Sequence, residues 1–404
     1  MACQLCENRE LEPVFELGHH PPSDAFRTEE ELARPQTVYP LTLVKCEACQ
    51  LVQTLHTVAD EELFSDRFVF RTGDNQALRS HFRDLVAELV SLVNLDPGDL
   101  VVDVGSNDGT LLKNYPDHVE VLGVEPSRPA EIAITDGVST RREFFSRDVA
   151  DDIVDRRGTA KIVTATNVLA HAGDLHSFME GVDRLLADDG IFVQESQYLL
   201  DLVVNVQFDN VYLEHRRYYS MRSLCELFDR FGLQPWTAER VDTQGGSIKT
   251  LASRPGVYQP DGTVRDLLET EERHDLHDIT KLRELERQAE ANRLELLDLL
   301  STIRNDGERV AGVGAAAKGV SRLNYCRIGP ELVEYVADVN EYKIGKYTAG
   351  THIQVVSDQR LLEDDPDYAL LLAWNLADVI VPKLREGGFE GQFIVPSPTV
   401  RIVE

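Results

Sequence analysis

The run LVVDVGSNDGTLL, Leu100 to Leu112, constrains this chain more than any other segment. An apolar β run leads into a turn holding Gly105 and Gly109, and apolar residues then resume as the start of a helix. A second strand, VEVLGVEPS, follows, and its last acidic residue is Glu125. Strand-like runs at KIVTATNVL and GIFVQESQY flank a helical segment, Leu175 to Leu186, so strands alternate with helices as in a doubly wound parallel sheet. Ahead of them, residues 76 to 95 place apolar residues at helical spacing, and Pro97-Gly98 stops that helix.

Glycines in such a turn let the backbone approach a ligand, and the N-terminus of the helix beyond it offers free N–H groups. Dinucleotide enzymes hold pyrophosphate on a G-x-G-x-x-G turn. Here the spacing is G-x-x-x-G, and Asp103 precedes it. A carboxylate at that point would repel pyrophosphate but suits the cationic amino-acid end of S-adenosylmethionine, while Glu125 is placed to bind ribose hydroxyls. The competing reading is an ordinary α/β turn with no ligand.

Cys3-x-x-Cys6 and Cys46-x-x-Cys49 are thiolate pairs at the spacing that lets two sulfurs of a tight turn reach one tetrahedral ion. Four such ligands leave no position for water or substrate, so the expected Zn2+ is structural; two unrelated redox-active turns are the alternative. Cys225 and Cys326 stand alone and read as core residues.

A chain of 404 residues with 42% hydrophobic content exceeds what one core organises, which predicts two or three domains with several small cores. From about Asp261 to Arg304 the chain is highly charged and carries Leu at helical intervals, as a helical connector does. A second α/β pattern follows in RVAGVGAAAKGVSRL, VEYVADVN, YALLLAW and GQFIVPS. The expected fold is therefore α/β: a zinc-binding module over residues 1–65, a Rossmann-like domain suited to S-adenosylmethionine over 66–255, the connector over 256–305, and a second Rossmann-like domain over 306–404. In that last domain, Gly312-x-Gly314-Ala-Ala-Ala-Lys318 is a strand-to-helix turn with a lysine and no acid, suited to a diphosphate; an empty Rossmann turn is the alternative.

The 70 acidic and 41 basic residues give a net charge of -29, which repels phosphate backbones and argues against a nucleic-acid partner. No apolar run has signal-peptide character or reaches bilayer-spanning length, so the expectation is a cytoplasmic protein with no membrane partner.

DVGSNDGTLL, GVEPS, TNVLAHAGDLHSFMEGVDRLLADDGIFVQE and YLEHRRYYS together resemble the sugar C-methyltransferase family, whose members act on C-3 of dTDP-4-keto-deoxysugars. The resemblance takes in the cysteine module, VAGVGAAAKGVSRLNYC and DVNEYKIGKYTAGTHI, so it covers nearly the whole chain. It implies a zinc module, an S-adenosylmethionine domain, and a nucleotide sugar lying between the middle and C-terminal domains. It places Asn167, Val168 and His171 near the adenine and sulfonium, beside Asp103, Gly105, Ser106, Asn107, Gly109 and Glu125 as the cofactor set.

Methylating a carbon beside a ketone needs a base for the α-proton, a partner for the enolate oxygen, and a methyl donor held in line. In Tyr212-Leu-Glu214-His215, the resemblance assigns the base to His215, a neutral imidazole. Glu214 would orient it or bind a sugar hydroxyl, and Tyr212 would donate to the oxyanion. Tyr218, Tyr219, Gly246, Lys318, Asn324 and Tyr325 are the expected substrate contacts, with Arg322, Lys343, Lys346 and Tyr347 as unranked candidates. The bland readings are interface tyrosines, a satisfied polar His215, and a hairpin turn at Gly245-Gly246. FVFRTGDN, Phe68 to Asn75, departs from the family where a tyrosine is expected, and phenylalanine cannot donate.

The expected activity is thus C-methylation, at C-3, of a nucleotide-linked 4-keto-deoxysugar. Its rivals are O- or N-methylation of another metabolite, a non-catalytic zinc-containing binding protein, and a nicotinamide dehydrogenase, which Asp103 and the glycine spacing disfavour. The sequence leaves the oligomeric state open.

Overall fold

The structure is a computed structural model and describes residues 1–64 and 70–404. Phe68 therefore lies outside the described residues. Near the N-terminus, β1 (Leu11–His20), β2 (Tyr39–Cys46) and β3 (Val52–Thr54) pair antiparallel.

The middle segment supplies β4 (Leu100–Val104), β5 (Glu120–Val124), β6 (Thr140–Arg141), β7 (Ala160–Thr166) and β8 (Leu186–Gln197), then β9 (Arg217–Tyr218), β10 (Gln234–Val241) and β11 (Ser247–Ser253). Its sheet has the order β10-β11-β8-β7-β4-β5-β6. β4 runs parallel to β5 and β7, whereas β11 is antiparallel to both of its neighbours. Every residue of β4 is buried, as a strand covered on both faces must be. The exception to this local order is β9, which leaves the middle sheet and pairs with β3, Val52 opposite Tyr218 and Gln53 opposite Arg217.

One expected helix is missing. After the glycine turn the chain forms only a 3₁₀ turn, Leu112–Asn114. Pro116 follows so soon that barely one helical turn fits, and its lack of an N–H stops the helix there.

The C-terminal segment supplies β12 (Val310–Val313), β13 (Tyr335–Asp338), β14 (Gln354–Ser357), β15 (Tyr368–Leu371), β16 (Gln392–Val395) and β17 (Arg401–Val403) in the order β14-β13-β12-β15-β16-β17. All pairs are parallel except β16 with β17. The helix Ala317–Cys326 follows β12 across the second glycine turn.

The charged connector forms two helices, Thr263–Arg273 and Ile279–Asn305. The longer one buries Leu282, Leu285, Ala289, Asn292, Leu296, Leu300 and Ile303, a stripe at three- and four-residue spacing. Asn292 is at home in this stripe because its Nδ2 donates to the Pro396 carbonyl at 2.7 Å and its Oδ1 accepts from Arg322 Nη1 at 2.8 Å. The expectation of several small cores is corrected here. One apolar cluster runs from Cys3 and Leu5 through Val102 and Phe192 to Leu370 and Ile394, with two smaller clusters beside it, because the long helix and the β3–β9 pair join the three sheets. Among the described residues no helix is long and apolar enough to cross a membrane.

Candidate active site

A cavity of about 1470 Å³ opens where the carboxyl ends of the middle-sheet strands face those of the C-terminal sheet. That is where α/β sheets present ligand sites.

Asp103, Gly105, Ser106, Asn107, Glu125, Asn167, Val168 and His171 all line it. Asp103 is buried on β4 and accepts from Thr164 Oγ1 at 2.6 Å; burial, with the charge of Glu125 adding, raises its pKa to about 7. Glu125 Oε2 accepts from the Asn107 N–H at 3.0 Å, and Oε1 from the Ser127 N–H at 2.8 Å. Gly105 sits at φ +71°, and a Cβ there would collide with the Val168 side chain, so only glycine lets the turn close on the β7 loop. Asn107 and Asp108 staple the turn to the preceding segment, accepting from the N–H groups of Thr72 and Gly73 at 2.9 Å each. The Ser106 hydroxyl is buried without a protein partner. Carboxylates ending adjacent strands, a close-packed glycine and an unpartnered hydroxyl fit a cationic, hydroxyl-bearing cofactor. Gly109 does not join this wall. It lies at φ +75° against Val138 and Ala133, 3.1 and 3.2 Å from where its Cβ would be, and serves the turn itself.

The Tyr212–Tyr219 loop supplies the reactive groups. His215 Nδ1 lies 3.2 Å from the Asn210 carbonyl and Nε2 lies 2.7 Å from the Tyr212 hydroxyl. A carbonyl can only accept, so Nδ1 carries the proton and Nε2 is the acceptor. Burial, with His171 adding, pushes the His215 pKa well below the ordinary imidazole value, which keeps the ring neutral. His171 stands 4.8 Å from it, centroid to centroid, with Nδ1 2.7 Å from the Glu214 carbonyl. Glu214 Oε1 accepts from the backbone N–H groups of Ser23 and Asp24, at 2.8 and 3.3 Å, while Oε2 is buried and unpartnered. Burial and the nearby Asp24 raise the Glu214 pKa to about 7.

The two arginines of this loop are not solvated. Arg217 Nη1 donates to the carbonyls of Ala172 and Leu169 at 2.7 and 3.1 Å, and Arg216 is paired with Asp60. Arg217, with the Arg216 backbone N–H donating to the Ala170 carbonyl at 3.0 Å, holds the His171 segment against this loop.

Zinc fits the N-terminal cluster. The Cys3 and Cys49 sulfurs are 3.5 Å apart, as are those of Cys6 and Cys46, and all four ligand atoms lie within 4.8 Å of one another. Tetrahedral Zn–S bonds of about 2.3 Å place sulfurs about 3.8 Å apart. The two turns repeat each other. Glu7 N–H donates to the Cys3 carbonyl and Gln50 N–H to the Cys46 carbonyl, each at 3.0 Å, and both Glu7 and Gln50 have φ +61°.

Of the expected substrate contacts, Lys318 lines the cavity, whereas Tyr218, Tyr219, Gly246, Asn324 and Tyr325 do not. β9 carries Tyr218 into the N-terminal sheet, and Tyr219 is wholly buried with its hydroxyl donating to the Leu169 carbonyl at 3.3 Å. Gly246 is part of the β10–β11 hairpin, where a Cβ would lie 2.6 Å from the Asp201 side chain. Tyr325 is two helical turns beyond Lys318, packed on Phe15 and Phe208, and Asn324 donates to the Ala349 carbonyl. Arg322 is likewise withdrawn from the substrate, fully buried against Asp209 at 2.8 Å with Trp374 Nε1 on the same carboxylate oxygen at 2.7 Å. Lys343 lines the cavity and donates to the Ala315 carbonyl; Tyr347 pairs with Arg27 outside it. The diphosphate expectation for the second glycine turn also changes, because Asp338 Oδ2 already accepts from the Ala315 N–H at 2.6 Å and brings negative charge to that turn. Sequence reasoning missed Asp24, Asn210 and Asn375 as cavity residues; they come from segments with no motif.

Three family models match the chain: "Putative zinc binding domain" over residues 3–64, "Methyltransferase domain" over 76–238, and "C-methyltransferase C-terminal domain" over 242–398. The chain is 33% identical over 407 aligned residues to the C-methyltransferase NovU of Streptomyces niveus, covering 99% of this chain and 96% of that one. Solved structures share less. Magnesium protoporphyrin IX methyltransferase of Synechocystis is 17% identical over 45% of this chain and 87% of its own, with a TM-score of 0.34. A SAM-dependent methyltransferase of Aquifex aeolicus is 12% identical over 43% and 97%, with a TM-score of 0.32. Likeness of that degree carries no argument about the site.

Proposed function

The chain belongs to the C-methyltransferase family, and from that premise we propose that it methylates a carbon beside the ketone of a nucleotide-linked 4-keto-deoxysugar, C-3 being the position favoured, with His215 as the base. The enzyme is an S-adenosylmethionine-dependent class I methyltransferase with a structural zinc module. S-adenosylmethionine supplies the electrophilic methyl group. Asp103 and Glu125 would hold its cationic and ribose ends, with Ser106 and Val168 beside them.

The observation that carries this reading is the state of His215. It is neutral, its tautomer is fixed by the Asn210 carbonyl, its Nε2 accepts from the Tyr212 hydroxyl, and both residues line the cavity shared with Asp103 and Glu125. Such an imidazole accepts a carbon-bound proton at neutral pH without first losing one of its own. Placing a substrate carbon at Nε2 means displacing the Tyr212 hydroxyl, which frees its proton for the ketone oxygen. Glu214 Oε2, buried and unpartnered, is the acceptor for a sugar hydroxyl.

Incubation with S-adenosylmethionine and a dTDP-4-keto-6-deoxysugar should add one carbon-bound methyl group, located by NMR. The same sugar with its ketone reduced to an alcohol should remain unmethylated. Methylation of the alcohol at equal rate would make the protein an O-methyltransferase.

A further inference from the structure

The geometry points to Lys318, contributed by the C-terminal domain, as the charged group that stabilises the substrate's enolate oxygen while His215 removes the neighbouring proton. This inference rests on the reading of His215 as base.

When the C–H bond breaks, the proton goes to His215 Nε2 and the electron pair moves through carbon to the ketone oxygen, which becomes an oxyanion. In an enclosed site a fixed cation beside that oxygen is worth far more than in water. The Tyr212 hydroxyl is a neutral donor, and burial raises its pKa well above the phenol value, so it brings a hydrogen bond without charge.

Of the cations on the cavity wall, Arg71 lies 3.5 Å from Asp74, Lys383 is 2.8 Å from Asp358, and Arg79 is exposed. Lys318 and Lys343 are the buried ones. Lys343 donates to the Ala315 carbonyl in the second glycine turn, whereas Lys318 stands in the first turn of a helix whose Ser321 donates to the Val211 carbonyl beside the reactive loop at 2.8 Å. Lys318 is 8% exposed, and among the described residues it has no carboxylate within ion-pair distance. Its Nζ donates to two neutral acceptors, Asn375 Oδ1 at 2.9 Å and the Gln244 carbonyl at 3.3 Å, and lies 5.5 Å from the Trp374 ring centre. An ammonium has three N–H bonds, so one is left over. A buried cation with no carboxylate in ion-pair contact is costly to maintain and invites an anionic ligand; the nearby Asp209 is already paired with Arg322.

A diphosphate is the obvious candidate anion, but the carboxylate of Asp338 occupies the amide of the adjoining turn and would repel it. Lys318 also stands close enough to His215 for its charge to help depress the imidazole pKa. The groups facing Lys318 are therefore His215 from the reactive loop, Asp209 from the 3₁₀ turn Phe208–Asn210, and Arg322 from its own helix. Burial lowers its pKa to about 8, with Asp209 acting in the opposite direction, so the ammonium persists at neutral pH.

The test is the rate of solvent deuterium uptake at the substrate α-carbon, measured with S-adenosylhomocysteine in place of the methyl donor, for wild type, Lys318→Met and Lys318→Arg. Lys318→Met should lower exchange and kcat by about 10²–10³-fold with KM nearly unchanged. Wild-type exchange should fall as pH rises through about 8, and Lys318→Arg should move that fall to higher pH. Equal exchange in wild type and Lys318→Met, or a raised KM with kcat intact, overturns the proposal and leaves Lys318 as a substrate grip. Wild type without exchange, although it transfers methyl groups, would instead remove the enolate reading on which the proposal rests.

Discussion

The hydroxyl of Tyr212 lies 2.7 Å from Nε2 of His215, with the two rings 4.0 Å apart and tilted by 32°. With Nδ1 committed to the Asn210 carbonyl, the phenol is the donor and the imidazole the acceptor. Tyr212→Phe should leave S-adenosylmethionine affinity unchanged and lower kcat by about 10²-fold, through loss of a donor to the developing oxyanion. Steady-state kinetics with isothermal titration of the cofactor checks both. An unchanged kcat would give the hydroxyl no part in the chemistry.

The cysteine cluster reaches the active site through backbone pairing: Cys46 ends β2, β3 follows Cys49, and β3 pairs with β9 at the end of the reactive loop. One zinc per chain should be found by elemental mass spectrometry. Cys46→Ser should lose the metal and lower the melting temperature, because structural zinc contributes directly to folding. It should also lower kcat more than it weakens cofactor binding, since β4 and β5 do not pair with that sheet. A variant that loses zinc and keeps full activity and stability would contradict this coupling.

Asp103 makes cofactor binding pH-dependent. With its pKa raised to about 7, its ionised fraction rises about tenfold between pH 6 and pH 8, and the affinity for a cationic ligand should tighten by about the same factor. The sign for stability is the reverse. A carboxyl whose folded pKa is raised favours the fold fully below its unfolded pKa, and that contribution is lost as pH rises through about 7. Calorimetric titration of S-adenosylmethionine at pH 6 and pH 8 tests the first statement. Asp103→Asn should flatten the dependence.

The parts legible in the sequence are those whose physics is local. The β4 turn declares itself through Gly105, Asp103 and the strand before it, and the zinc turns through cysteines at fixed spacing. The rest depends on residues far apart in the chain. Glu214 is held by the amides of Ser23 and Asp24, Asp209 by Arg322, and β9 by β3. Nothing near Arg216 or Arg217 announces that both are buried, because their partners are carbonyls and Asp60, brought in by the fold. Tyr218 and Tyr219 read as substrate contacts because they adjoin His215 in sequence. β9 carries Tyr218 into the interior, and a bridge to Tyr198 takes Tyr219 with it.

The central claim is that His215 takes a proton from the carbon that becomes methylated. The direct measurement is mass spectrometry of a dTDP-4-keto-6-deoxysugar incubated in D2O with wild type and with His215→Asn, following deuterium at C-3 and methyl gain together. The account predicts both events in wild type and neither in His215→Asn, with S-adenosylmethionine binding retained. Methyl gain at C-3 in His215→Asn at the wild-type rate would contradict it.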